Sequence, residues 1–139
     1  YVAKALGCPT LDVSSSLRPA LRALRNCEQV LAAIDVPSDQ VAASVSVQIA
    51  GMATQVPKAL LRLAVEQKVP VTVYLTGIDM DTGQRTLRIV LLPVQENLDA
   101  LVAAVFAHLS EAIEQDSAAW HFWSEAPRFF AAPAPTTAK

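Results

Sequence analysis

Few side chains in this chain have the type and spacing that chemistry needs. His108 stands three residues before Glu111, and His121 four before Glu125, separations that put each pair on one helix face. His108 reads as an edge histidine on the polar side of a helix. His121 and Glu125 read as a local ion pair or cap, and Arg128 as a surface or capping partner of Glu125. A Ser-His-Asp site needs a nucleophile turn such as GxSxG, and none is present. There is no P-loop and no GxGxxG, since the four glycines are scattered. Cys8 and Cys27 form no CxxC and no Cys/His metal spacing, so free thiols are expected.

Asp35 is the better candidate. It closes the near-continuous apolar run "EQVLAAIDV", which predicts a buried strand, and the residues after it are Val36, Pro37, Ser38 and Asp39. In open α/β sheets ligands collect at the carboxyl ends of strands, so a carboxylate there can contact substrate. A loop-capping role for Asp35 stays open beside that one.

The elements that must position these residues follow from periodicity. Cys8–Ser14 is a strand candidate. "SSLRPALRALRN" predicts a helix that Ser15 or Ser16 can cap, with Leu17, Leu21 and Leu24 on one face and Arg18, Arg22 and Arg25 on the other. "ASVSVQIAG" alternates with period two and predicts a strand. Pro57 suits the first turn of the helix "PKALLRLAVEQK", whose apolar stripe is Leu60, Leu61, Ala64 and Val65. "VPVTVYLTGI" and "RTLRIVLLPV" predict two strands, joined as a hairpin through "DMDTGQ". Asn97 caps a long helix with Asp99 in its first turn, and Leu98, Leu101, Val102, Val105, Leu109, Ala112 and Ile113 line its inner side. The order β-α-β-β-α-β-β-α predicts an α/β fold, a mixed and mainly parallel sheet flanked by helices. One domain over residues 1–130 and a disordered Pro/Ala/Thr tail over 131–139 are expected.

Composition narrows the function classes. A formal net charge of −2 leaves no basic stripe for nucleic acid. No segment reads as a membrane-spanning helix, and "YVAKALGC" does not read as a signal peptide. The chain is 53% hydrophobic and only 17% charged, and it opens on Tyr1 rather than Met. Those facts predict either a piece of a larger domain or a domain that docks on a partner or membrane surface. The segment "AAWHFWSEAPRFF" holds Trp120, Phe122, Trp123, Phe129 and Phe130, and it reads chiefly as the lid of a core. Membrane-interface anchoring and direct substrate contact are its other readings.

The stretch from Leu21 to Phe130 resembles the lysophospholipid acyltransferase superfamily, closest to the bacterial branch that acylates lipid A and phosphatidylinositol mannosides. Leu24–Cys27 stand at the first turn, and Asp35, Pro37, Asp39 and Gln40 form the acidic loop. Ala50–Gly51 occupy the place of a Phe-Gly pair, Thr54 and Pro57 begin the helix, and Val69-Pro70-Val71 open the next strand. Trp120, Trp123, Arg128 and Phe129 match the aromatic terminus. The resemblance implies transfer of a fatty acyl group from acyl-CoA or acyl carrier protein to a hydroxyl of a membrane lipid or glycolipid. It also implies no metal or redox cofactor, work at the cytoplasmic side of the inner membrane, and Asp35 and Asp39 as substrate contacts. The family's base is a His with Asp or Glu five positions later. Ile113 follows His108 at that distance and Ala126 follows His121, so the catalytic motif is expected upstream of Tyr1 and this chain carries no catalytic residue. Two other readings stand beside this one: an inactive relative that binds or assembles with partners, and an unrelated small α/β domain.

Overall fold

The computed structural model describes residues 16–36, 43–120 and 122–130. The strand candidate Cys8–Ser14, the loop residues Pro37, Asp39 and Gln40, His121 and the tail 131–139 lie outside the described residues.

Helix α1 (Arg18–Arg25) starts where the Ser16 hydroxyl accepts the Arg18 N–H at 3.2 Å, with Pro in its first turn. Arg18, Arg22 and Arg25 are exposed, as their spacing predicts, but only Ala20 is buried on the opposite side. The helix ends at Asn26, and Cys27 turns the chain with a left-handed φ of 59°.

Residues 28–36 depart from expectation. The apolar run that predicts a buried strand forms none, and Leu31 is 84% exposed. A strand that is apolar all round needs neighbours on both edges and cover on both faces. The described sheets offer no such slot, and Ala32-Ala33 add little β preference of their own.

Strand β1 (Ser44–Ile49) alternates as predicted, with Ile49, Val47 and Val45 toward the core and Ser46 and Gln48 outward. It returns at once as β2 (Met52–Pro57), antiparallel, with Ile49 opposite Met52. The predicted helix start at Thr54 and Pro57 is therefore a strand. Ala50 and Gly51 take φ of 48° and 75°, the two positive values of a tight hairpin turn. That turn puts Thr54 and Val56 inward at 2% and 0% exposure. Helix α2 (Ala59–Gln67) follows and buries Leu61, Leu63 and Ala64, with Val65 partly buried against the core as expected; Leu63 is buried where the stripe predicts Leu60.

Strands β3 (Val71–Ile78) and β4 (Arg85–Leu92) form the expected hairpin, antiparallel, with Val71 opposite Leu92 and Ile78 opposite Arg85. Asp79 holds the loop by accepting the Asp81 and Thr82 N–H groups, each at 2.9 Å. The long helix α3 (Leu98–Gln115) begins at Asn97, whose side chain accepts the Ala100 N–H at 2.8 Å. Leu101, Val102, Val105, Phe106, Leu109 and Ile113 make its buried face, packed against β1, α2 and β3.

The class is mixed α/β, but both described sheets are two-stranded and antiparallel. The described residues thus do not form the mainly parallel sheet expected. Short links return β2 beside β1 and β4 beside β3, and a parallel pair would need a long crossover. After α3, two short 3₁₀ turns lead into α4 (Ala126–Phe129). Trp120 and Phe129 close the core at 6% and 2% exposure, so the aromatic segment is a core lid. Trp120 reaches the core by a turn and not by continuing the helix, which ends at Gln115.

Candidate functional site

A cleft of about 470 Å³ lies between the β3–β4 hairpin and the C-terminal half of α3. Leu75, Ile78, Leu109, Ile113 and Trp120 give it an apolar floor. Asp35, Thr76, Thr86, Arg88, Gln115 and Asp116 supply its polar groups. An apolar pocket with a few convergent polar groups is the usual form of a small-molecule site.

Asp35 enters this cleft from the segment after α1. It is half-buried, and its Oδ2 accepts the indole N–H of Trp120 at 3.3 Å. Trp120 is fixed by rings on several sides: Trp123, Phe129 and Phe130 lie 4.8, 5.3 and 5.7 Å away between centroids. Phe129 is tied in turn to β2, because the Thr54 hydroxyl donates to its backbone carbonyl. The chain from buried threonine to Phe129 to Trp120 to Asp35 places one carboxylate oxygen at the cleft wall. A carboxylate carries about four lone-pair sites, and the indole takes one of them.

The remaining polar groups divide by role. Asp79 is committed to its own loop, and the Thr82 and Asp81 N–H groups hold its carboxyl below the usual range. Arg88 donates to the His108 carbonyl at 3.3 Å and meets Glu111 at 3.3 Å. The Arg88 charge lowers the Glu111 carboxyl from its ordinary value. His108 Nδ1 lies 3.6 Å from Glu111 and stays at the edge of this cluster, outside the cleft lining, as an edge histidine should. Arg128 pairs with Glu125 at 2.6 Å on the surface.

Of the two acids read from the sequence as substrate contacts, Asp35 stands at the cleft and Asp39 lies outside the described residues. Thr76, Thr86, Arg88 and Asp116 also line the cleft. Thr76 and Thr86 look in sequence like ordinary strand residues; the register sets Thr76 opposite Leu87 and Thr86 opposite Gly77, on different faces of the hairpin, yet both border the cleft. Asp116 did carry a signal. Helix α3 ends on Glu111, Glu114 and Asp116 with no base in its last turn, against the preference of the helix dipole for cations there. Local violations of that kind concentrate at functional sites.

Among the described residues no group of His, Cys, Asp and Glu is arranged to hold a metal ion. No helix among them is long and apolar enough to cross a membrane. No known protein family, curated protein or solved structure matches the chain.

Proposed function

We propose that this chain is the non-catalytic portion of an acyltransferase-like protein, and that the cleft between β3–β4 and α3 receives the hydroxyl-bearing acceptor. The observation that carries the reading is the position of Asp35, held by Trp120 on the wall of a largely apolar cleft. In the reaction this implies, a base outside this chain takes the acceptor's hydroxyl proton. The oxygen attacks the thioester carbonyl of acyl-CoA or acyl carrier protein. The carbon–sulfur bond breaks, and the thiolate departs and takes up a proton. Asp35 positions the acceptor by accepting a hydrogen bond from a second hydroxyl. The acids Asp35 and Asp116, with the negative end of α3, disfavour the phosphates of CoA in this cleft, so the donor enters elsewhere. The acceptor is a membrane lipid or glycolipid met at the cytoplasmic side of the inner membrane, where the exposed Trp123 suits the interface.

The test is a tryptophan-fluorescence titration of the 139-residue chain with n-octyl glucoside below its micelle-forming concentration. We expect a saturable change that Asp35→Ala weakens about tenfold, the worth of one hydrogen bond to a charged group. A titration that does not saturate, or one indifferent to Asp35→Ala, contradicts the reading. The chain alone is expected to release no CoA from palmitoyl-CoA in the presence of the glucoside. Release that survives combined replacement of His108 and His121 by Ala contradicts a histidine base.

A second reading, an inactive binding or assembly module, draws on a separate observation. Tyr74, Leu87, Ile89 and Leu91 share the outer face of β3–β4, each at least half exposed. A contiguous apolar face of this kind marks interaction surfaces. The same titration separates the two readings, because a pure assembly module leaves the Asp35 cleft without a ligand.

A further inference from the structure

We infer that β1 is a pairing edge, and that two copies of this chain join through it into one four-stranded sheet in the order β2–β1–β1–β2. The first observation is the groove beside β1. It has a volume of about 470 Å³ and is lined by Val45, Ser46, Val47 and Gln48 together with Ala103 and Phe106 of α3. Four consecutive strand residues can line one groove only if the strand presents its edge, because successive side chains point to opposite faces. Among the described residues no strand pairs with that edge.

The hydrogen-bonding pattern follows from the turn. Ile49 and Met52 close a two-residue turn and so form a hydrogen-bonded pair; by alternation Val47–Thr54 and Val45–Val56 do the same. The N–H and C=O groups of Ser44, Ser46 and Gln48 therefore point away from β2, into the groove. Natural edges are guarded by charge, proline or a bulge. Strand β1, reading SVSVQI, has no charge and no proline, and its register with β2 is unbroken.

A second copy is the occupant this edge fits. An antiparallel pair centred on Ser46 sets Val45 opposite the partner's Val47 and Ser44 opposite the partner's Gln48. Apolar side chains meet on the core side and polar ones on the outer side, with no like charges opposed. The contact is isologous, the symmetry of most homodimers. Helix α3 accommodates it, since Ala103 and Ala107 are exposed one turn apart beside the edge. The two-fold runs the two α3 helices antiparallel, so their Asp99 carboxylates lie at opposite ends of the contact.

Sedimentation velocity of the 139-residue chain over a concentration series tests this. A reversible monomer–dimer equilibrium is expected. Ser46→Lys places a charge on the edge, and Ala103→Arg places bulk and charge on an exposed helix position that tolerates it. Each is expected to weaken the dimer at least tenfold with unchanged far-ultraviolet circular dichroism. In a Cys8→Ser, Cys27→Ser background, Ser46→Cys is expected to give a disulfide-linked dimer under mild oxidation, while Ser117→Cys gives none. A chain that is monomeric at every concentration overturns the inference. A dimer indifferent to both Ser46→Lys and Ala103→Arg overturns it as well, as does a dimer that Ser46→Cys fails to link.

Discussion

The two hairpins differ in what holds them. Strands β1 and β2 are six residues each, joined by two turn residues, yet they carry Ile49, Thr54 and Val56 fully into the core. Two side-chain ties fasten them: the Ala50 N–H donates to the Ser110 hydroxyl at 2.6 Å, and the Thr54 hydroxyl donates to the Phe129 carbonyl. Strands β3 and β4 are eight residues each, yet only Val73 and Leu92 are buried. Residues 74–78 of β3, with Thr86 and Arg88 of β4, border the cleft, and Leu87, Ile89 and Leu91 leave the outer face open. Burial here follows the anchoring of each hairpin to the helices, not strand length. The short hairpin belongs to the core, and the long one is free to serve a ligand and a surface.

Substitutions can break that contrast. The largest effect is expected from Phe106→Ala, which empties the space between α3 and the short hairpin and costs about 3–5 kcal/mol in chemical denaturation. Thr54→Val comes next. It leaves the Phe129 carbonyl buried without its donor, and a loss of about 1–3 kcal/mol is expected. Ala50→Gly runs the other way. Ala50 holds a φ of 48°, which glycine adopts without strain, so a gain of roughly 0.5–1 kcal/mol is expected. On the outer face of the long hairpin, Leu91→Lys is expected to change stability by less than about 0.5 kcal/mol while raising solubility. A large loss there, or a negligible one at Phe106, would erase the distinction between the two hairpins.

The smallest expected effect concerns pH. The Arg88 charge lowers the Glu111 carboxyl from an ordinary value of 4.5. A carboxylate with a lowered folded-state pKa adds stability above its unfolded value, and that stability fades as pH falls through the folded value. The chain should therefore lose a little stability on acidification below about 4.5, the ordinary value that Glu111 regains on unfolding. Arg88→Met should flatten that slope. Both residues are partly exposed, so salt should screen the effect.

Local signals carried most of the elements. The alternation in "SVSVQI", the Asn97 cap and the turn chemistry of "DMDTGQ" each act within a few residues, and each is met where expected. The failures share one cause. The near-continuous apolar run of residues 28–36 predicts a strand, but such a run is decided by neighbours that lie far away in sequence. Pro57 suits a helix start and the acyltransferase resemblance puts Thr54 there too, but both lie in β2, because Ala50, a residue that seldom adopts a positive φ, turns the chain back. The element order predicts the mixed α/β class, which is met; the mainly parallel sheet is not, because both described strand pairs are hairpins. Asp35 was legible as a polar residue closing an apolar run. Its partner Trp120 was legible only as an aromatic, because 85 residues separate the two.

The central claim is that Asp35 and Trp120 together present a ligand-accepting carboxylate. The indole N–H signals in a nitrogen–proton correlation spectrum test it most directly, with Trp123 as the comparison because its indole donates to the Ser117 carbonyl and not to Asp35. On titration with n-octyl glucoside, the Trp120 signal should move and saturate, and by more than the Trp123 signal, whose ring packs 4.8 Å from Trp120. Asp35→Asn should shift the Trp120 signal in the unliganded chain and abolish most of its response. A Trp120 signal that ignores both the ligand and the substitution would contradict the account.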